Sequence, residues 1–160
     1  MKKPALTALA TLAAIAAAAL PATTAAHGED PADVAAAVAK ALKNPLVVKG
    51  STRLTIVHLQ KGCHSWSTGK GAPAAGVKAV LARGQRLTVL NQDIDTHKLV
   101  RMSGPALALG KALSMNDRFT LTFRTPGIYK LRTKKMHTPG MPDVETVGPD
   151  HMLAMLVVVR

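Results

Sequence analysis

The feature that most constrains the fold is a series of short apolar segments between residues 46 and 159, which are separated by turn-forming residues. Each segment is rich in Val, Ile, Leu, Thr or Phe and is only a few residues long, which is typical of β-strands. The predicted strands are residues 54–59, 78–82, 86–90, 98–103, 118–124, 128–132 and 153–159. Short strands at this spacing predict an all-β chain, folded as an antiparallel sandwich or barrel. Residues 61–76 are rich in glycine and are predicted to form a loop.

The first 26 residues have the pattern of a cleavable secretory signal peptide. Lys2 and Lys3 follow Met1, residues 5–20 are apolar and uncharged, and small residues follow Pro21 as far as Ala26. An uncleaved anchor is the alternative, although the apolar stretch is short for a membrane span. We therefore expect an exported protein, periplasmic or extracellular, with no membrane span in its mature chain.

A short N-terminal helix is predicted over residues 30–42. Asp30 is a suitable N-cap, Pro31 suits the first helical position, and Asn44-Pro45 ends the pattern. The predicted organisation is a signal peptide over 1–26, a helical leader over 27–45 and one domain over 46–160.

Composition excludes several classes of protein. With a single cysteine, Cys63, among 160 residues, neither an internal disulfide nor a zinc module with two or four cysteines can form. The formal net charge of +12 becomes +10 once the signal is removed, because cleavage removes Lys2 and Lys3 but no acidic residue. A basic surface suits an acidic redox partner or an anionic envelope polymer. With only four aromatic residues there is no stacking platform, so we expect no nucleic-acid partner, and we expect a monomer.

Three stretches together resemble the cupredoxin family. Residues 81–100 read LARGQRLTVLNQDIDTHKLV and residues 119–133 read FTLTFRTPGIYKLRT, and an apolar strand closes the chain after a loop that contains Gly, Pro and Met. The resemblance covers residues 54–159. It implies a Greek-key antiparallel β-sandwich, cupredoxin-like, that binds copper.

The resemblance places His97 at the family's first copper-histidine position. The family's thiolate ligand ends the strand after Pro-Gly-x-Tyr, but Thr133 or a neighbour stands there in this chain. The only thiol is Cys63, in the sequence Lys-Gly-Cys-His-Ser-Trp. In a Greek-key sandwich the loops after the first, third and penultimate strands lie at one end. We therefore expect the loops that carry Cys63 and His97 and the loop over 136–152 to meet there.

The predicted copper site consists of Cys63, His64, His97 and Met141. Thiolate and thioether favour Cu(I), while imidazole binds either oxidation state. Because neighbouring residues of a regular strand point to opposite faces, Cys63 and His64 could bind together only if Gly62 turns the chain tightly. The alternative ligands are Met152, His58, His137 and His151.

The predicted function is one-electron transfer or copper handling, with no catalytic residues. No acidic residue at a recognisable spacing could orient a nucleophilic pair of Cys63 and a histidine. The alternative is a basic binding module without metal on the same scaffold. Trp66 and Met155 are predicted to lie in the core, and Met102 and Met115 to be packing residues.

Overall fold

The computed structural model describes residues 30–59, 63–136 and 152–160, without the side chains of Cys63, Lys135 and Met136. The predicted signal peptide, the predicted ligand Met141 and the alternative ligands His137 and His151 lie outside the described residues. Among the described residues no helix is both long enough and apolar enough to cross a membrane.

The predicted N-terminal helix is confirmed as α1 (Pro31–Ala41). The side chain of Asp30 accepts a hydrogen bond of 2.8 Å from the backbone N–H of Ala32, which caps a helix end that would otherwise lack an acceptor. The buried side of α1 packs against the start of the last strand, in a cluster made of Ala37, Val38, Ala41, Met152 and Ala154.

The described strands form two facing sheets, so the predicted all-β sandwich is confirmed. The strands are β1 (Leu46–Lys49), β2 (Thr52–Leu59), β3 (Cys63–Ser67), β4 (Gly76–Leu81), β5 (Arg86–Asn91), β6 (Thr96–Ser103), β7 (Arg118–Thr122), β8 (Gly127–Met136) and β9 (Ala154–Val159). One sheet has the order β1-β4-β9-β8-β6 and the other β3-β2-β5-β7.

The sheets are mixed, which corrects the prediction of a wholly antiparallel sandwich. The pairs β1·β4, β4·β9 and β2·β5 are parallel, and the other pairs among the described strands are antiparallel. An alternating sequence pattern shows which side of a strand is buried. It does not show which strand lies beside it, or whether that neighbour runs parallel or antiparallel.

The core lies between the two sheets and is filled by alternate residues of each strand. Its largest fully buried side chains include Trp66, Tyr129 and Phe123, and Met155 is also fully buried as predicted. The predicted packing role of Met102 and Met115 is wrong, because both are exposed. Met102 lies where the register of β6 and β8 shifts, and Met115 lies in the turn before β7.

The segment predicted as a loop over 61–76 contains strand β3, which corrects that prediction. The strand pairs with β2 in antiparallel register, with His64 opposite His58 and Cys63 opposite Leu59. Trp66 anchors it, because its buried indole N–H donates a 3.1 Å hydrogen bond to the carbonyl of Ala154 in the other sheet. The surrounding glycines obscure this short alternation in the sequence.

The turn between β7 and β8 is held in place by Tyr129, near the start of β8. The hydroxyl of Tyr129 donates a 2.6 Å hydrogen bond to the carbonyl of Thr125, and its ring makes an edge contact with Phe123 at 5.1 Å. Gly127 has φ of 144° and lies against Pro105, so a side chain there would be both strained and obstructed. These contacts fix the position of β8. This strand pairs with β6, the strand that carries His97.

Candidate metal centre

Three buried polar side chains from separate elements meet at one end of the sandwich. His64 comes from β3, Asp93 from the turn after β5, and His97 from the start of β6. Their exposed fractions are 8%, 0% and 2%. The rings of His64 and His97 make an edge contact with their centroids 5.0 Å apart. The structure thus brings together two of the four residues predicted as ligands.

The turn that carries Asp93 is held by the buried side chain of Asn91. The amide nitrogen of Asn91 donates to the carbonyls of Asp95 and Leu113 at 2.7 and 2.9 Å, and its oxygen accepts from the N–H of Asp93 at 2.9 Å. These bonds give partners to the buried polar side chain of Asn91 and to the backbone of Asp93, which stabilises the turn. The Asn-x-Asp sequence therefore directs the carboxylate of Asp93 inward.

The carboxylate of Asp93 accepts hydrogen bonds from three imidazoles. Nδ1 of His58 lies 3.3 Å from Oδ1, Nε2 of His97 lies 3.0 Å from Oδ2, and Nδ1 of His64 contacts the same Oδ2. The backbone N–H of Asp95 donates to Oδ1 at 3.2 Å. His58 differs from the other two histidines because 37% of its side chain is exposed.

Burial and hydrogen bonding act in opposite directions on these groups. Burial alone would raise the pKa of Asp93, but the hydrogen bond from His97, the N–H of Asp95 and the nearby His64 together lower that pKa below its usual value. Burial lowers the pKa of His97, and its bond to Asp93 opposes this only in part. The arrangement thus favours an ionised Asp93 beside a neutral His97.

The other ring nitrogen of His97, Nδ1, is buried and has no hydrogen-bond partner among the described residues. In a neutral imidazole whose Nε2–H donates to Asp93, Nδ1 carries a lone pair. A carboxylate that accepts from one nitrogen, and so leaves the other as a donor atom, is the usual support of a metal-binding histidine. The residues present therefore fit a metal ion at this end of the sandwich.

The structure places the backbone of Cys63 directly before His64 in β3, opposite Leu59, while the thiol lies outside the described side chains. Met136 ends β8 opposite Thr96, one residue before His97, and Met141 itself lies outside the described residues. Met152, an alternative ligand, is buried against α1.

The predicted ligand set did not include Asp93, and it gave His58 only as an alternative. Donor atoms of His58, His64 and Asp93 all lie within 4.8 Å of one another, a spacing at which they could hold a metal ion. The sequence signal for Asp93 is its place in the Asn-x-Asp turn, four residues before His97. The signal for His58 is its position at the end of β2, opposite His64.

No protein-family model and no curated protein matches the chain. Among solved structures it is similar to a purple cupredoxin from Nitrosopumilus maritimus, with 18% identity over 69% of this chain and 100% of that one and a TM-score of 0.42. A reduced amicyanin mutant gives 17% identity, coverage of 69% and 83%, and a TM-score of 0.40.

A multicopper oxidase from Campylobacter jejuni is also similar to the chain, with 16% identity, coverage of 76% of this chain and 31% of that one, and a TM-score of 0.41. Likenesses this remote do not tell what the chain binds or does.

Proposed function

We propose that this chain is an exported, cupredoxin-like protein that binds one copper ion for one-electron transfer or copper handling. The ligands we propose are His64, His97, Cys63 and Met141. The observation that carries the proposal is the pair of buried imidazoles on one buried carboxylate, with Nδ1 of His97 left without a hydrogen-bond partner among the described residues.

The chemistry of these donors favours copper over other metals. Imidazole binds both Cu(I) and Cu(II), and a thiolate with a thioether adds the soft ligands that Cu(I) prefers. Bound copper would supply a one-electron couple. Cys63 is the only thiol of the chain and directly precedes His64, and Met141 follows by five residues Met136, which pairs with Thr96 next to His97. Joint binding by Cys63 and His64 requires the chain to depart from regular strand geometry at Cys63, the first residue of β3.

Asp93 has a positioning role in this proposal. Its carboxylate holds Nε2 of His97 at 3.0 Å and also contacts His64, so both rings are fixed before any metal arrives. Rigid, buried ligands keep the geometry similar in both oxidation states, which suits an electron carrier. The backbone bonds that hold Asn91 and Asp93 extend this rigidity into β5.

Copper titration of the purified protein, with competition against a chelator, tests the proposal. We expect one copper per chain. His97→Ala should weaken binding at least tenfold, because loss of even an outer-shell partner costs roughly 10–100-fold. Ser65→Ala, in the same strand as His64, is the matched control and should bind normally. Failure of the wild type to retain copper would refute the proposal.

A second candidate is a zinc or Cu(II) site of imidazole and carboxylate without the thiol. It is favoured by the donor atoms of His58, His64 and Asp93, which lie within 4.8 Å of one another. Such ligands suit zinc and Cu(II). His58→Ala separates the two candidates. If the metal binds at this second site, the substitution should weaken metal binding about tenfold or more. If copper binds at the first proposed site, its affinity should stay unchanged.

A further inference from the structure

The outer face of the β3-β2-β5-β7 sheet carries a groove of about 570 Å³ that is lined only by arginine and hydroxyl side chains. Strands β2, β5 and β7 contribute one arginine each, Arg53, Arg86 and Arg118, and all three are exposed. No acidic and no apolar residue is among the described residues that line this groove, which we call the arginine groove.

The strand register explains how the arginine groove is built. Arg53 pairs with Thr88 and Thr88 pairs with Thr120, so one row of polar residues crosses three strands. The two threonine hydroxyls lie 3.1 Å apart and form the floor. Because side chains alternate along a strand, neighbours such as Val89 and Leu121 are buried in the core while this row faces outward.

The three arginines are spread along the groove. Arg86 lies two residues before Thr88, and Arg118 pairs with Leu90, two residues after Thr88. At ~3.3 Å per residue, Arg86 and Arg118 are therefore about 13 Å apart along the strand direction. A chain with repeated negative groups matches this spread of positive charge better than a single small anion does.

None of these arginines is in an ion pair within the described part of the chain. The described acids have other partners or positions: Asp93 and Asp95 contact the histidine cluster of His58, His64 and His97, and Asp30 and Asp33 belong to α1. Asp117, which precedes Arg118 in the chain, accepts a hydrogen bond from the N–H of Ser114. Within the described part of the chain, the positive charge of the arginine groove is thus not neutralised by an ion pair and is available to a ligand.

We propose that the arginine groove binds a linear polyanion, other than a nucleic acid, that carries phosphate or sulfate groups. Guanidinium groups pair with such oxygens two at a time, and the threonine hydroxyls add further donors. A protein partner would need an apolar centre to its interface, which this lining lacks. Base stacking needs aromatic side chains, which the lining lacks as well. The inference is independent of copper binding.

The test is calorimetric titration of the full chain with long-chain inorganic polyphosphate and with heparin at several salt concentrations. In the triple variant Arg53→Gln, Arg86→Gln and Arg118→Gln, affinity should fall on the order of tenfold or more. The slope of log K against log salt should become less steep by about 2–3, since each lost contact removes about one.

The matched control removes three lysines from the outer face of the other sheet, as Lys78→Gln, Lys98→Gln and Lys130→Gln. All three are exposed, and the charge lost is the same. We expect affinity within about twofold of wild type, since these lysines make no contact with a ligand in the groove. An equal loss in both triple variants would overturn the proposal, because binding would then follow total charge.

Two further probes identify the ligand chemistry. The proposal would also be overturned if poly-glutamate bound more tightly than polyphosphate. It would likewise be overturned if single-stranded DNA, at matched charge, bound more tightly than polyphosphate and heparin. If the triple variant does not fold by circular dichroism, Arg53→Gln alone should lower the salt slope by about one. Copper stoichiometry of the arginine variants should stay unchanged, so failure of this inference and failure of the copper proposal appear in different measurements.

Discussion

At the scale of single residues, Asp93 connects the parts of the histidine cluster. A fully buried carboxylate is costly unless donors surround it, and here three imidazoles and the backbone N–H of Asp95 do so. The same bonds orient His64 and His97 for a metal. If the proposed site binds metal, stability and metal binding are linked through this one side chain, and both should respond when it changes.

Asp93→Asn keeps the shape of the side chain but removes the charge that faces three imidazoles. We expect the free energy of unfolding of the metal-free protein to fall by about 1–3 kcal/mol. Copper affinity should fall roughly 10–100-fold, as for other outer-shell partners. Urea unfolding and chelator competition measure the two effects. Asp33→Asn, on the exposed side of α1, is the control, and an equally small effect in both variants would contradict the role of Asp93.

The stability of the metal-free protein should depend on pH through Asp93 and His97. Both have a folded-state pKa below the unfolded one, so the unfolded chain takes up protons first and stability is lost as pH falls. The loss should begin below the ordinary His value of 6.5 and continue below the ordinary Asp value of 3.8. Urea unfolding between pH 8 and pH 3 checks this, and rising stability on acidification would contradict it.

His97→Gln should make the upper part of this pH dependence shallower, because one of the two groups is removed. The lower part, which Asp93 supplies, should remain. A profile identical to that of wild type between pH 8 and pH 5 would show that His97 does not become protonated on unfolding.

The sequence indicates His97 and Asp93 with different clarity. His97 stands in a pattern that resembles a known ligand position, so it could be predicted. Asp93 stands among polar turn residues, where aspartate usually favours the turn itself. Its burial follows from Asn91, whose amide holds the turn against Leu113, a residue more than twenty positions away. Such a contact cannot be read from local sequence.

At the scale of elements, α1 and β4 approach each other closely at Gly76. A Cβ atom there would overlap the backbone carbonyl of Ala41 at the end of the helix. The helix could be predicted from its cap and proline, but its docking position could not, since it depends on β4 lying beside β9. The small residue is what allows the leader helix to pack on the sandwich.

Gly76→Ala should therefore destabilise the protein, because the helix or the strand must shift to admit the methyl group. We expect a loss of about 1–3 kcal/mol in the free energy of unfolding, as for other overpacked sites. Lys78→Ala, two residues along the same strand and exposed, should change it by about 0.5 kcal/mol or less. Equal stability of Gly76→Ala and wild type in urea would show that the helix packs elsewhere.

Strands could be predicted from alternation, but their partners could not. The prediction located β2 and the strands β4 to β9 approximately, because each buries one side. It missed β3, whose Cys-His-Ser-Trp sequence contains no β-branched residue, although Trp66 fixes it to the other sheet. The parallel pairing of β2 with β5 brings Asn91 next to Ile56, so it is this pairing that places the end of β5 beside the histidines of β2 and β3.

At the scale of the whole molecule, the two proposed binding regions are separate although they share β5. Its alternate residues Arg86 and Thr88 face the arginine groove, while Leu87 and Val89 fill the core and Asn91 supports the metal centre. The arginine groove thus holds three of the 21 lysine and arginine residues of the chain and is separate from the histidines that contact Asp93. A copper protein that also binds a polyanion would be held in place without loss of its metal site.

The most direct test of the copper proposal is the visible absorption spectrum of the purified protein after addition of one equivalent of Cu(II). Wild type should show an intense thiolate-to-copper charge-transfer band, because Cys63 supplies the sulfur ligand. Cys63→Ser should lose this band, while Ser65→Ala, two residues along β3, should keep it. Copper bound with no such band in wild type, or a band unchanged in Cys63→Ser, would contradict the proposed site.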